Sequence, residues 1–176
     1  MKFPSISIIL GLAGLINSLD MTSYSEGPDI DEGFKAYLTE LYLMTEDPIV
    51  TTTFSDFFTT DGQLIVRATV ATGSDEIIAL KQRLLPTLGN KRWNHRPNVT
   101  TVDSESCTEK VFQVLGVIET SFKGGNCSQA YYSARFHVLK DASGALSMET
   151  HAGNLAVYHD FIVEPPVAPT NIACGN

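Results

Sequence analysis

The C-terminal half of the chain sets the strongest limit on its fold. Two β-rich runs, Lys110 to Phe122 and Ser128 to Lys140, are joined by Gly124-Gly125-Asn126. Glycine and asparagine accept the left-handed backbone that a tight hairpin requires, so the runs predict adjacent antiparallel strands. A shorter run, Pro97 to Val102, precedes them. A last strand is expected over Met148 to Val163, interrupted by Gly153, after a looser turn at Asp141 to Ser147. Four such strands give a sheet with a face to bury, and the first half of the chain must supply its cover.

Three segments there have helical spacing. In Asp29 to Glu46, Ile30, Phe34, Tyr37, Leu38, Leu41 and Met44 share one face. Asp29 and Glu32 stand at N-cap and third-position spacing, and Pro48 closes the segment. Thr53 to Thr59 is a short second helix with Phe54, Phe57 and Phe58 together. Asp61-Gly62 reads as a turn, and Leu64 to Val70 as a strand with a short hairpin partner. Ser74-Asp75-Glu76 opens a third helix, capped by the serine, with two carboxylates at its positive end. Ile77, Leu80 and Leu84 form its apolar stripe, and Pro86 and Gly89 end it.

Helices gathered on one face of an antiparallel sheet make an α+β protein. The expected architecture is a cone-shaped, curved antiparallel sheet wrapped around a long N-terminal helix with two shorter helices. Such a cone holds a hollow between helix and sheet. With 176 residues, 43% of them hydrophobic, the chain is sized for one domain. Its net charge of −8, without a basic cluster, argues against nucleic acid as a partner.

Residues 1–18 differ from the rest. Lys2 is the only charge before Asp20, and Ile6 to Ile16 is almost wholly apolar, which reads as a secretory signal peptide. The expected division is a signal peptide at 1–18, an α+β domain at 19–164 and an extended, proline-containing tail at 165–176. Secretion predicts an extracellular protein, with no membrane partner after cleavage. It also gives meaning to the sequons at Asn98 and Asn126. Of three cysteines, one pair at most closes within the chain. Cys107 and Cys127 are separated by about fifteen residues at roughly 3.3 Å each along the hairpin, too far for a disulfide. Cys127–Cys174 is therefore expected, with Cys107 free.

Certain segments resemble a known family. Phe54-Ser55-Asp56-Phe57-Phe58-Thr59-Thr60-Asp61 precedes a strand, and Gly73-Ser74-Asp75-Glu76-Ile77 opens a helix. Trp93-Asn94-His95, Leu115-Gly116-Val117, Tyr132-Ser133-Ala134-Arg135 and Val157-Tyr158-His159-Asp160 follow in order. From about Ile30 to Phe161 this resembles the SnoaL-like group of the nuclear-transport-factor-2-like (cystatin-like) superfamily, in particular its secreted fungal members. The resemblance implies one of two functions. One is a cofactor-independent cyclase, dehydratase or isomerase of a small apolar metabolite in secondary metabolism. The other is a non-catalytic, secreted small-molecule-binding protein or effector. It also marks the outer sheet face as a candidate homodimer surface.

No phosphate loop, serine triad or metal-ligand spacing is present, so neither a metal nor another cofactor is expected. Acid–base residues in the hollow must carry any chemistry. A solvent-facing, glycosylated Asn98 would put Arg96 and Thr100 on its side of the strand, and His95, Pro97, Val99 and Thr101 toward the hollow. His95 is thus the leading catalytic candidate, with an ordinary pKa of roughly 6.5 that suits proton transfer. Asp56 is a second candidate, set against a reading as a solvated helix residue. Tyr37 and Tyr132 are candidate ligand-binding phenols, set against simple packing. Arg135 and His137 are placed on the outer face, and at most one of His159 and Asp160 reaches the hollow.

Overall fold

The computed structural model describes residues 19–163. The elements are β1 (Ser25–Glu26), α1 (Phe34–Glu46), a 3-10 turn (Thr53–Phe57), β2 (Phe58–Val66), β3 (Thr69–Thr72), α2 (Gly73–Leu84), β4 (Lys91–Glu105), β5 (Glu109–Phe122), β6 (Cys127–Leu139) and β7 (Leu155–Val163). One seven-stranded sheet runs β1-β4-β5-β6-β7-β2-β3. The α+β class is as expected, but the sheet is mixed: β1 joins β4, and β2 joins β7, in parallel. The β4–β5–β6–β7 meander is antiparallel throughout.

The first helix is shorter than its apolar spacing predicts. It begins at Phe34 after Gly33, whose φ of +92° is glycine territory. Asp29 does not cap it. Lys110 pins that stretch as a loop, its Nζ donating to the Asp29 carbonyl at 2.7 Å and lying 2.6 Å from Asp31 Oδ2. What remains is thirteen residues with Phe34, Tyr37, Leu38, Leu41, Tyr42 and Thr45 buried. These follow the three- and four-residue steps of one helical face. Phe34 stacks on Phe112 of β5 at 4.1 Å between ring centroids, fixing α1 against the sheet.

Two further expectations give way to backbone geometry. Asp61-Gly62 lies inside β2, where the pairing with β7 slips between Phe58 and Gln63. A Cβ on Gly62 would meet the Leu155 carbonyl and Phe58 Cβ at 2.9 Å, so the glycine serves a bulge and not a turn. The last strand begins at Leu155, because residues 147–154 form a loop through His151 and Gly153, both at positive φ. The third helix starts where expected, yet Ser74 does not cap it. The Ser74 hydroxyl bonds Ser55 at 2.7 Å, while Glu76 accepts the Thr72 N–H at 2.9 Å.

Candidate active site

Between the helices and the inner sheet face lies a cavity of about 330 Å³. Strand alternation explains its walls. Lys91, Trp93 and His95 of β4, Ile118 and Thr120 of β5, Tyr132 of β6, and Tyr158 and Asp160 of β7 all point the same way. Lys81 and Leu84 of α2, Phe54 of the 3-10 turn and Thr45 of α1 complete the lining.

His95 is buried, 1% exposed, and held from three sides. Its Nδ1 lies 2.9 Å from Glu46 Oε1, and its backbone N–H donates to the same oxygen. Its ring stacks flat on Tyr42, 4.3 Å away at 5°, and meets Tyr132 edge-on at 5.3 Å. A carboxylate only accepts, so Nδ1 carries the proton of this bond, and in the neutral imidazole the lone pair is on Nε2. Nothing among the described residues bonds Nε2. Glu46 ends α1 and is itself buried, so the imidazole is fixed by the helix as well as by its own strand.

The second acid–base group is Asp160. Its Oδ1 is buried without a hydrogen-bond partner among the described residues. Burial pushes its carboxyl up to about 6, with His95 pulling the other way. An ionised carboxylate is costly without water or donors, so the proton is held to a higher pH than on an ordinary carboxyl. The buried Tyr42 and Tyr132 hydroxyls approach one another without reaching hydrogen-bonding geometry. Burial drives the Tyr42, Tyr132 and Tyr158 phenols far above their ordinary value, so they remain O–H donors at any ordinary pH. The site thus joins an oriented imidazole, a carboxyl that keeps its proton up to about pH 6, and neutral phenols.

Of the residues chosen from the sequence, His95 and Tyr132 line this cavity. Asp56 does not. A 3-10 turn repeats every three residues, so Phe54 and Phe57 point inward together and Asp56 is left exposed. The acidic role belongs to Asp160, which takes the inward side of β7 while His159 packs on Phe161 outside. Tyr37 is a core residue and lies apart from the lining, its ring edge-on to Phe57 at 5.2 Å. The alternation argument places His95 and Pro97 correctly and then fails. Pro97 pairs with Gly116 and Val99 with Leu115, so Asn98 is an extra residue in a bulge. Beyond it the facing reverses: Thr100 is buried and Thr101 exposed.

Glu46 was missed altogether. It stands 49 positions from His95 and carries no local pattern; only the docking of α1 brings the two together. Asn98 and Asn126 are both exposed, as attachment sites must be. Cys107 is an exposed free thiol at the β4–β5 turn. Cys174 lies outside the described residues, as do the expected signal peptide and the whole of the expected tail. Among the described residues, no group of three His, Cys, Asp or Glu side chains is placed to hold a metal ion. No described helix is long and apolar enough to cross a membrane.

No family model matches the sequence, and no curated protein matches it. Solved structures do match. ActVI-ORFA from Streptomyces coelicolor superposes with a TM-score of 0.55 at 15% identity, covering 74% of this chain and 97% of its own. A protein from Catenulispora acidiphila in complex with S-DNPA gives 0.55 at 13% identity, covering 75% and 95%. An NTF2-like protein with a cystatin-like fold from Novosphingobium aromaticivorans gives 0.52 at 16% identity, covering 77% and 85%. At such identities the likeness is one of fold: this chain has the cystatin-like fold of the NTF2-like proteins.

Proposed function

We propose that this protein is a SnoaL-like, cofactor-independent acid–base enzyme of secondary metabolism that dehydrates, cyclises or isomerises a small, largely apolar molecule. One observation carries the reading: in the wall of a cavity that is apolar over most of its surface, His95 is hydrogen-bonded at 2.9 Å to the buried Glu46 carboxylate. A carboxylate behind an imidazole fixes its tautomer and stabilises the imidazolium that forms when it takes a proton. Up to about pH 6 Asp160 holds a proton that a departing or rearranging oxygen needs. The Tyr132 hydroxyl, without a partner of its own, is available to donate to a ligand oxygen.

The pairing favours chemistry over simple binding, since a buried polar pair of this kind adds little net stability. The Catenulispora neighbour, which holds S-DNPA in the same fold, supports a small-molecule occupant. The proposal extends to export: residues 1–18 direct secretion, Asn98 and Asn126 carry glycans, and Cys127 pairs with Cys174.

Native mass spectrometry of the protein purified from its own culture medium tests this reading. We expect a bound small molecule, a mature N-terminus between about Asn17 and Thr22, and a linked Cys127–Cys174 peptide. Purified protein free of any small molecule, with Met1 intact, contradicts both the ligand and the export.

A further inference from the structure

The cavity wall carries an unexpected charge. The chain as a whole is −8, yet the lining contains Lys81 and Lys91 beside one carboxyl, Asp160. That carboxyl is itself inclined to hold its proton. Both lysines enter the lining on the α2 side. Lys81 and Leu84 are one helical turn apart on the same face of α2, and Lys91 Nζ donates to the Leu84 carbonyl at 3.0 Å. Lys81 Nζ donates to the carbonyls of Asp47 and Val50 at 2.7 and 2.8 Å.

Those bonds do not use up the ammonium groups. Each has three N–H donors; Lys81 spends two on backbone oxygens and Lys91 one. The remaining three are not taken by any described carboxylate, and Lys91 rests over the Trp93 ring, 5.0 Å from its centroid. A buried cation without a counter-ion is costly. The cost shows at Lys81, which burial pushes down to about 8 against a smaller pull from Asp47. It shows at Lys91 too, also lowered by burial. Lys110, by contrast, is paired with Asp31 and Glu105.

We propose that the Lys81–Lys91 end of the cavity is a carboxylate subsite, so that the substrate is an apolar ring body bearing a carboxylate. The proposal rests on the small-molecule reading above and narrows it to one chemical class. The acid group accepts from the spare N–H donors of both lysines, while the ring body extends past Trp93 toward His95 and Asp160. Lys91 and His95 are four residues apart on β4, about 13 Å at a strand's rise per residue. The anchor therefore holds the molecule by an end that does not react.

The test uses 4-phenylbutyrate and its uncharged isostere 4-phenylbutanamide, titrated calorimetrically into the purified protein at pH 7. Trp93, the only tryptophan of the chain, reports the same binding by fluorescence. Charge-assisted bonds favour the acid over the amide by about ten-fold or more in Kd. The preference falls to less than about three-fold in Lys91→Met, which keeps the apolar stem in place, while the amide binds as before. An unchanged melting temperature shows that this variant is folded. Equal binding of acid and amide overturns the carboxylate subsite and leaves the cavity reading standing. A preference that persists in both Lys91→Met and Lys81→Met overturns it as well. Absence of binding by either probe overturns the cavity reading too.

Discussion

The two faces of the sheet handle ionisable side chains in opposite ways. On the outer face Arg135 Nε lies 2.9 Å from Asp103 Oδ2, and His137 lies 3.5 Å from Glu109. Gln129 donates to Glu119 at 2.9 Å, and Arg96 is 3.5 Å from the same carboxylate. Apart from the buried Gln129 these groups are partly exposed, and each makes a polar pair, although Arg96 Nε itself stays buried without one. On the inner face, supplied by the same strands, Asp160 Oδ1 and the Tyr132 hydroxyl are buried with none. Where water is near, an unmatched polar group costs little and pairing adds little. In the cavity the unmatched groups raise the energy of the empty protein, and a ligand that satisfies them recovers that energy.

The largest expected effect is at His95. His95→Ala lowers turnover by about 10²–10⁴-fold, the usual contribution of a positioned base. It also strands the buried Glu46 carboxylate, at a cost of about 3 kcal/mol in stability. Steady-state rates and urea melts of His95→Ala, Glu46→Gln and the double variant separate the two effects. The double variant recovers stability relative to His95→Ala without recovering rate. If all three variants turn over like the wild type, the inner face is merely a core.

Asp160→Asn comes next. In the folded chain the carboxyl keeps its proton to about pH 6, against 3.8 when unfolded. Between those values the folded state binds the extra proton, so stability falls as pH rises through the window and stays lowered above it. The amide has no such penalty. The variant is more stable than wild type at pH 7, by at most about 3 kcal/mol for two pKa units, and matched near pH 4. Its turnover drops by about 10²-fold, and the decline in wild-type rate above about pH 6 disappears. Thermal melts across pH 4–8 decide it; equal melting temperatures throughout remove the burial penalty assigned to Asp160.

Gly116→Ala tests how closely the inner wall is packed. A Cβ there would sit 2.5 Å from the Arg96 carbonyl and 2.8 Å from the Tyr132 ring and hydroxyl. Overpacking of this kind costs about 1–3 kcal/mol, and the displaced Tyr132 weakens ligand binding. The smallest effect is expected outside. Arg135→Ala should change stability by no more than about 1 kcal/mol and leave turnover untouched. A large loss of rate there would erase the distinction between the two faces.

The parts of this arrangement legible in the sequence are those set by local rules. Alternation on β6 placed Tyr132, Ala134, Phe136 and Val138 in the core, and all four are buried. The hairpin at Gly124-Gly125 and the stripe of Ile77 and Leu80 on α2 likewise followed from spacing alone. What was not legible depends on distant partners. The bulge at Asn98 reverses the facing of β4 with no mark in composition. The start of α1 is set by Lys110, some eighty residues away. Glu46 becomes a partner for His95 only when α1 docks. Asp56 misled because an aspartate amid phenylalanines looks enclosed, whereas a three-residue turn faces it outward.

The central claim is that the inner-face pair moves protons on a bound small molecule. The most direct test incubates a metabolite extract of the source organism in D₂O with wild-type protein, and separately with a His95→Ala/Asp160→Asn double variant. High-resolution mass spectrometry then compares the two. The account predicts at least one small carboxylic acid that gains deuterium at carbon, or loses the elements of water, only with the wild type. Identical profiles, with the same compounds bound to both proteins, would contradict it and leave a binding cavity without chemistry.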